Sequence, residues 1–160
     1  MKHIYMIRHA TAQPPGNLPD IARKLDISAK AELETIGQHI EKNAWQADRI
    51  LCSEAVRTKE TCAKLATYFG TPPANIVFSP LLYNAPFEFY LKAIAEQDKN
   101  IQHLALVGHN PGISHLASYL AKTGKNYNLP TCGLVHLQFK IDNWQEVSMG
   151  MGKELDFIIP

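Results

Sequence analysis

The sequence predicts an α/β fold: a three-layer α/β/α sandwich with a mostly parallel central sheet and a C-terminal antiparallel hairpin. Three observations support this. Short apolar strand-like runs alternate with amphipathic helical stretches for most of the length, which calls for a parallel sheet covered by helices. The alternation then gives way to two successive strand-like segments, as in a hairpin. Finally, 160 residues with 46% apolar and 19% charged side chains suit a single domain, 1–160, with a sizeable core.

The elements follow in order. Ile4 to Ile7 is a short buried strand. Ala10 to Ser28 is an irregular stretch with Pro14, Pro15, Gly16, Asn17 and Pro19, and a loop this long inside a compact domain is functional or mobile. Ala29 to Asn43 is a helix with Leu33, Ile36 and Ile40 on one face. Arg49 to Cys52 is a second strand. Ala55 to Phe69 is a second helix, with Cys62, Leu65, Ala66 and Phe69 inward and Gly70 as its stop. Ile76 to Phe78 is a third strand, and Pro86 opens a helix bearing Phe87, Tyr90, Leu91 and Ile94. Leu104 to Val107 is a fourth, nearly all-apolar strand. Asn110 is placed as an N-cap with Pro111 at the first helical position, ahead of Ile113, Leu116, Ala117 and Leu120. Gly133 to Phe139 and Gln145 to Met149 are expected to form the hairpin, turning at Asp142-Asn143, with the Leu155 to Pro160 tail packed on the body.

Composition narrows the function. A net charge of +1 gives no field suited to nucleic acid or an anionic membrane, so any basic site is local. Cys52, Cys62 and Cys132 are odd in number and form no C-x-x-C pair. They are expected to be buried free thiols rather than a disulfide framework or zinc site. The N-terminus is too short and polar for a signal peptide, and no apolar stretch is long enough to span a bilayer. A cytoplasmic protein is expected.

Three short motifs follow three strands. Arg8-His9-Ala10-Thr11 follows the first. Ser53, Arg57 and Thr58 follow the second, and Gly108-His109-Asn110 follows the fourth. Open α/β sheets bind ligands outside the carboxyl ends of their strands, so these distant segments should meet. Arg8 and Arg57 offer forked donors that match phosphate oxygens. Helix N-termini near Ser53 and Asn110 would add backbone donors. There is no metal-ligand spacing and no nucleotide loop. Two arginines and two histidines therefore suggest a phosphate site needing no metal and no cofactor. A histidine acts as nucleophile through one neutral ring nitrogen while the other is protonated and held. Neighbouring arginines disfavour the protonated ring and stabilise phosphoryl oxygens. His109 can donate to those same oxygens.

These motifs, with Ser53-Glu54-Ala55-Val56-Arg57-Thr58-Lys59-Glu60-Thr61 in full, resemble the histidine phosphatase (phosphoglycerate mutase-like) superfamily. The short chain resembles its small SixA-like phosphohistidine phosphatase branch. Asp20, Arg23 and Leu25 match that branch's loop before the first helix, and Leu129-Pro130-Thr131 fits before the last strands. The resemblance implies a metal-independent phosphatase with a phosphohistidine intermediate. It makes His9 the nucleophile, Arg8, Arg57 and His109 the phosphate pocket, and Ser53 a hydroxyl contact. Thr11 and Asn17, on the irregular loop, are candidates to touch substrate or to hold the loop. Arg23 either guides an acidic substrate or pairs with a neighbouring carboxylate.

The chain departs from the family pattern where many members carry a glutamate general acid. Here Leu81-Leu82-Tyr83-Asn84-Ala85-Pro86-Phe87-Glu88 offers only an offset Glu88, which serves as an acid or simply favours a helix N-terminus. A missing acid handicaps alkoxide leaving groups more than the easily protonated imidazole of phosphohistidine. The first expectation is therefore a phosphatase acting on phosphohistidine in a protein such as a histidine phosphotransfer domain. The second is a small-molecule phosphomonoesterase using the same site, its pocket formed by the Pro-rich loop and Phe87 to Tyr90. The third is a non-catalytic phosphate-recognising adaptor. His3, His39, His103, His115 and His136 are assigned structural roles.

Overall fold

The computed structural model describes residues 1–160. Six strands and four α-helices alternate: β1 (Lys2–Arg8), α1 (Ala29–Lys42), β2 (Arg49–Ser53), α2 (Val56–Phe69), β3 (Ile76–Ser79), α3 (Phe87–Ala95), β4 (His103–Gly108), α4 (Gly112–Leu120), β5 (Leu134–Phe139) and β6 (Lys153–Ile158). They form one sheet of order β3-β2-β4-β1-β5-β6. β3, β2, β4 and β1 run parallel, and β5 and β6 close the sheet antiparallel.

The strand alternation divides the core in two. Ile4, Met6, Leu104, Leu106, Val135 and Leu137 face α3 and α4, against Tyr90, Ile94, Ile113, Leu116 and Leu120. Tyr5, Ile7, Ile50, Cys52, Ala105 and Val107 face α1 and α2, against Leu33, Ile36, Ile40, Cys62, Leu65 and Phe69. This is the expected sandwich. Each fully buried Leu or Ile contributes roughly 1.5–3 kcal/mol, so two apolar faces on β1 and β4 leave those strands little choice of position. All three cysteines are buried and free. Gly70 ends α2 in the left-handed region, at φ 68°, where a side chain would be strained.

Beyond shifts of one or two residues at element ends, three assignments change. Gln145 to Met149 is not a strand. Trp144–Glu146 is a single 3-10 turn closed by reciprocal bonding between Asn143 and Glu146. The fully buried Trp144 anchors this turn, its indole N–H donating to the Ile101 carbonyl at 3.0 Å. The partner of β5 is instead β6, drawn from the tail. Asn110 also does not cap α4 through its own backbone. The helix begins at Gly112 after Pro111, while Asn110 donates from Nδ2 to the Leu129 carbonyl and accepts from the Ser114 hydroxyl. Pro86 likewise precedes α3 instead of opening it, a one-residue shift typical of helix ends.

Candidate active site

The order β2-β4-β1 explains how the three motifs meet. β4 lies between the other two strands, with Arg8 opposite Gly108 and Cys52 opposite Val107. The carboxyl ends of three adjacent strands therefore present His9, Ser53 and His109 side by side. The His9 and His109 ring centroids are 5.4 Å apart.

His9 is locked from several directions. Its N–H donates to the Gly108 carbonyl at 3.1 Å, and its own carbonyl accepts from the Cys132 N–H at 3.0 Å. Its ring Nδ1 lies 2.7 Å from the Ala10 carbonyl oxygen. An oxygen there can only accept, so Nδ1 carries the proton and Nε2 carries the lone pair. Ala10 is itself fixed, its N–H donating to Thr61 Oγ1 at 3.0 Å, while Thr61 bonds back to the Arg57 carbonyl. His9 is 8% exposed. Burial, then the charges of Arg57, Arg8 and Arg23, outweigh the Ala10 contact and bring its pKa down to about 4. The ring is neutral at neutral pH.

His109 is almost wholly buried. Its Nε2 lies 2.7 Å from Ser53 Oγ, and its Nδ1 faces Arg57 Nη2 at 3.4 Å. Burial first, and Arg57 second, lower its pKa to about 3. Its backbone N–H donates to the Tyr90 hydroxyl at 3.2 Å.

Arg57, 3% exposed, sits in the first turn of α2. Its Nη1 donates to the Asp20 carbonyl at 2.8 Å, and its Nη2 to Asp20 Oδ2 at 3.0 Å. Arg8 donates from Nη1 to the Leu129 carbonyl at 3.1 Å. In both arginines Nε is buried with no protein partner. Buried donors are ordinarily paired, so two such nitrogens beside two neutral imidazoles suit an anion with several oxygens.

The remaining expected contacts stand apart. Thr11 is committed elsewhere: its hydroxyl bonds Glu32 and Thr131, and its N–H bonds Glu32. The buried-side carboxylate of Glu32 thus makes Thr11 a brace for the loop. Asn17 is exposed in a bend and bonds none of the four residues. Glu88 is exposed in the first turn of α3 and makes no ion pair. The carboxylate that reaches the cluster is Asp20, whose significance the sequence did not reveal. Tyr83 joins it, donating to Asp20 Oδ2 at 2.5 Å and packing edge-on to His109. No group of three or more His, Cys, Asp or Glu side chains is arranged to hold a metal ion, and no helix is long and apolar enough to cross a membrane.

No model of a known protein family matches the chain. An uncharacterized chloroplastic protein of Arabidopsis thaliana is 28% identical over 154 residues, spanning 91% of this chain and 70% of its own length. A solved structure from Agrobacterium tumefaciens, described as a candidate phosphohistidine phosphatase SixA, is 28% identical. It superposes with a TM-score of 0.81 over 99% of this chain and 98% of that one. Over nearly its whole length the chain is similar to the SixA-like branch of the histidine phosphatase superfamily. A second SixA-type structure, from Nakamurella multipartitia, reaches a TM-score of 0.83 over 99% of this chain and 96% of its own, at 18% identity, and so speaks to the fold. Phosphatase activity follows for this SixA-like enzyme, and its strand-end cluster is the candidate site.

Proposed function

We propose that this SixA-like phosphatase removes the phosphoryl group from phosphohistidine in a protein, through a phosphohistidine intermediate on His9. The observation that supports this most is the Nδ1 contact to Ala10, which leaves the Nε2 lone pair of a neutral ring beside two arginines with unpartnered Nε atoms.

In the first step His9 Nε2 bonds to phosphorus as the substrate's P–N bond breaks. The departing imidazole keeps the bonding pair, takes one proton from solvent and leaves neutral. In the second step a water oxygen bonds to phosphorus and gives one proton back to solvent, the Nε2–P bond breaks with its pair returning to Nε2, and phosphate leaves with His9 restored. Arg8 and Arg57 hold the phosphoryl oxygens throughout and stabilise the charge they carry in the transition state.

Ser53 and Arg57 hold His109 between them. Arg57 Nη2 can only donate, so at 3.4 Å it meets the lone pair of His109 Nδ1. The ring proton is then on Nε2 and is donated to Ser53 Oγ at 2.7 Å, which also accepts from the Ala55 N–H at 3.3 Å. The neutral ring is thereby fixed beside the phosphoryl site.

The leaving group favours phosphohistidine. Glu88, the offset candidate for a general acid, is exposed in the first turn of α3 and makes no ion pair, and an imidazole leaves more readily than an alkoxide without a dedicated acid. The test is phosphate release from a phosphorylated histidine phosphotransfer domain, with a His9→Ala control. Release no faster than the control would reject the reading. Strong turnover of one metabolite with weak phosphoprotein activity would favour the phosphomonoesterase instead.

A further inference from the structure

Asp20 lies on the irregular loop, within a short 3-10 turn, Asp20–Ala22. One carboxylate there binds two arginines: Oδ2 accepts from Arg57 Nη2 and Oδ1 from Arg23 Nε, both at 3.0 Å. Its backbone carbonyl takes Arg57 Nη1, and Tyr83 donates to Oδ2. The Tyr83 hydroxyl first, then Arg57, hold this carboxyl down at about 2, so it stays ionised. Arg23 in turn donates from Nη1 to the Gln13 carbonyl at 3.0 Å, tying down the other end of the loop.

The geometry on Arg57 is selective. A guanidinium presents an end-on pair, Nη1 with Nη2, and a side-on edge, Nε with Nη2. Asp20 takes the end-on pair. The side-on edge keeps the unpartnered Nε and the Nη2 that approaches His109. Asp20 thus fixes the guanidinium plane without consuming the edge beside His109. Its 46% side-chain exposure places it on the rim, away from the buried nucleophile.

Resting on the phosphatase reading above, we propose that Asp20 is a positioning residue: it orients Arg57 for side-on phosphoryl capture and holds Arg23 at the rim as a third cation. Asp20 acts through the arginines and transfers no proton itself. The opposite possibility is that the carboxylate competes with the phosphoryl group for Arg57. The two differ in sign.

The experiment titrates the purified full chain with orthovanadate by calorimetry, comparing wild type, Asp20→Asn and Asp20→Ala, with thermal unfolding in parallel. An asparagine oxygen can serve one arginine but not both, so it should rescue in part. The expected order of affinity is wild type, then D20N, then D20A, with D20A about tenfold weaker, the scale of a lost charge-assisted hydrogen bond, at unchanged thermal midpoints. Equal or tighter vanadate binding by D20A overturns the proposal, and D20N decides alone if D20A does not fold. Absence of vanadate binding by wild type overturns both this proposal and the phosphatase reading. Sound wild-type binding and phosphohistidine turnover with no loss in the variants overturns this proposal alone.

Discussion

Ser53 Oγ lies 2.7 Å from His109 Nε2, and both side chains are buried at the ends of adjacent strands. The sequence separates them by more than fifty positions, yet β2 and β4 pair directly. A hydroxyl that accepts the His109 Nε2 proton and holds the ring in place should matter more to turnover than to stability. Ser53→Ala is expected to lower kcat about tenfold, the cost of one lost hydrogen bond that positions His109, with a small shift in unfolding midpoint. Steady-state kinetics on phosphohistidine substrate check this, and an unchanged kcat would remove Ser53 from the account.

Tyr90 and Gly108 form a second linked pair. The buried Tyr90 hydroxyl accepts from the His109 N–H, and a Cβ on Gly108 would lie 2.1 Å from that hydroxyl. Tyr90→Phe leaves the His109 N–H without its partner, at about 1–3 kcal/mol. Gly108→Ala drives a methyl into the hydroxyl and costs stability by overpacking. The double variant should lose less than the sum, because removing the hydroxyl removes the closest clash. Urea unfolding of the four proteins measures this, and strict additivity would contradict the contact.

Three buried imidazoles give a pH dependence of definite sign. His9 is lowered to about 4, and His109 and His136 to about 3, each chiefly by burial. The unfolded chain protonates these rings near the ordinary value of about 6.5. Their contribution to stability is therefore complete above about 6.5 and is lost as pH falls through about 4 to 3. Urea midpoints should fall progressively below pH 6.5. The acid limb of kcat/KM should lie near pH 4 rather than near pH 6.5. Midpoints that stay constant from pH 7 to pH 4 would contradict the burial of neutral rings.

Much of the fold and of the site was legible in the sequence, and particular residues show where that ended. Apolar runs such as Leu104 to Val107 and helical faces such as Leu33, Ile36 and Ile40 report burial directly, so strands and helices came out nearly in place. Arg8, His9, Arg57 and His109 lie at or shortly after strand ends, where topology brings distant segments together. The hairpin partner was misread because Gln145 to Met149 and Lys153 to Ile158 offer similar patterns. Tertiary anchoring by Trp144 decides between them, and local spacing does not report it. Asp20 was legible only as part of a loop. Its contact with Arg57 spans 37 positions and depends on how that loop folds back. The pairing of His3 with His136 across β1 and β5, at 2.9 Å, is likewise a product of strand register.

The most direct measurement concerns His9 itself. The protein is mixed with a phosphotransfer domain carrying radiolabelled phosphohistidine, quenched during turnover, and digested to locate the label. Attack by Nε2 predicts phosphate on His9 that is labile in acid and stable in base, absent from the His9→Ala variant, which also releases no phosphate. Undiminished phosphate release by that variant, or label on any residue other than His9, would contradict the mechanism.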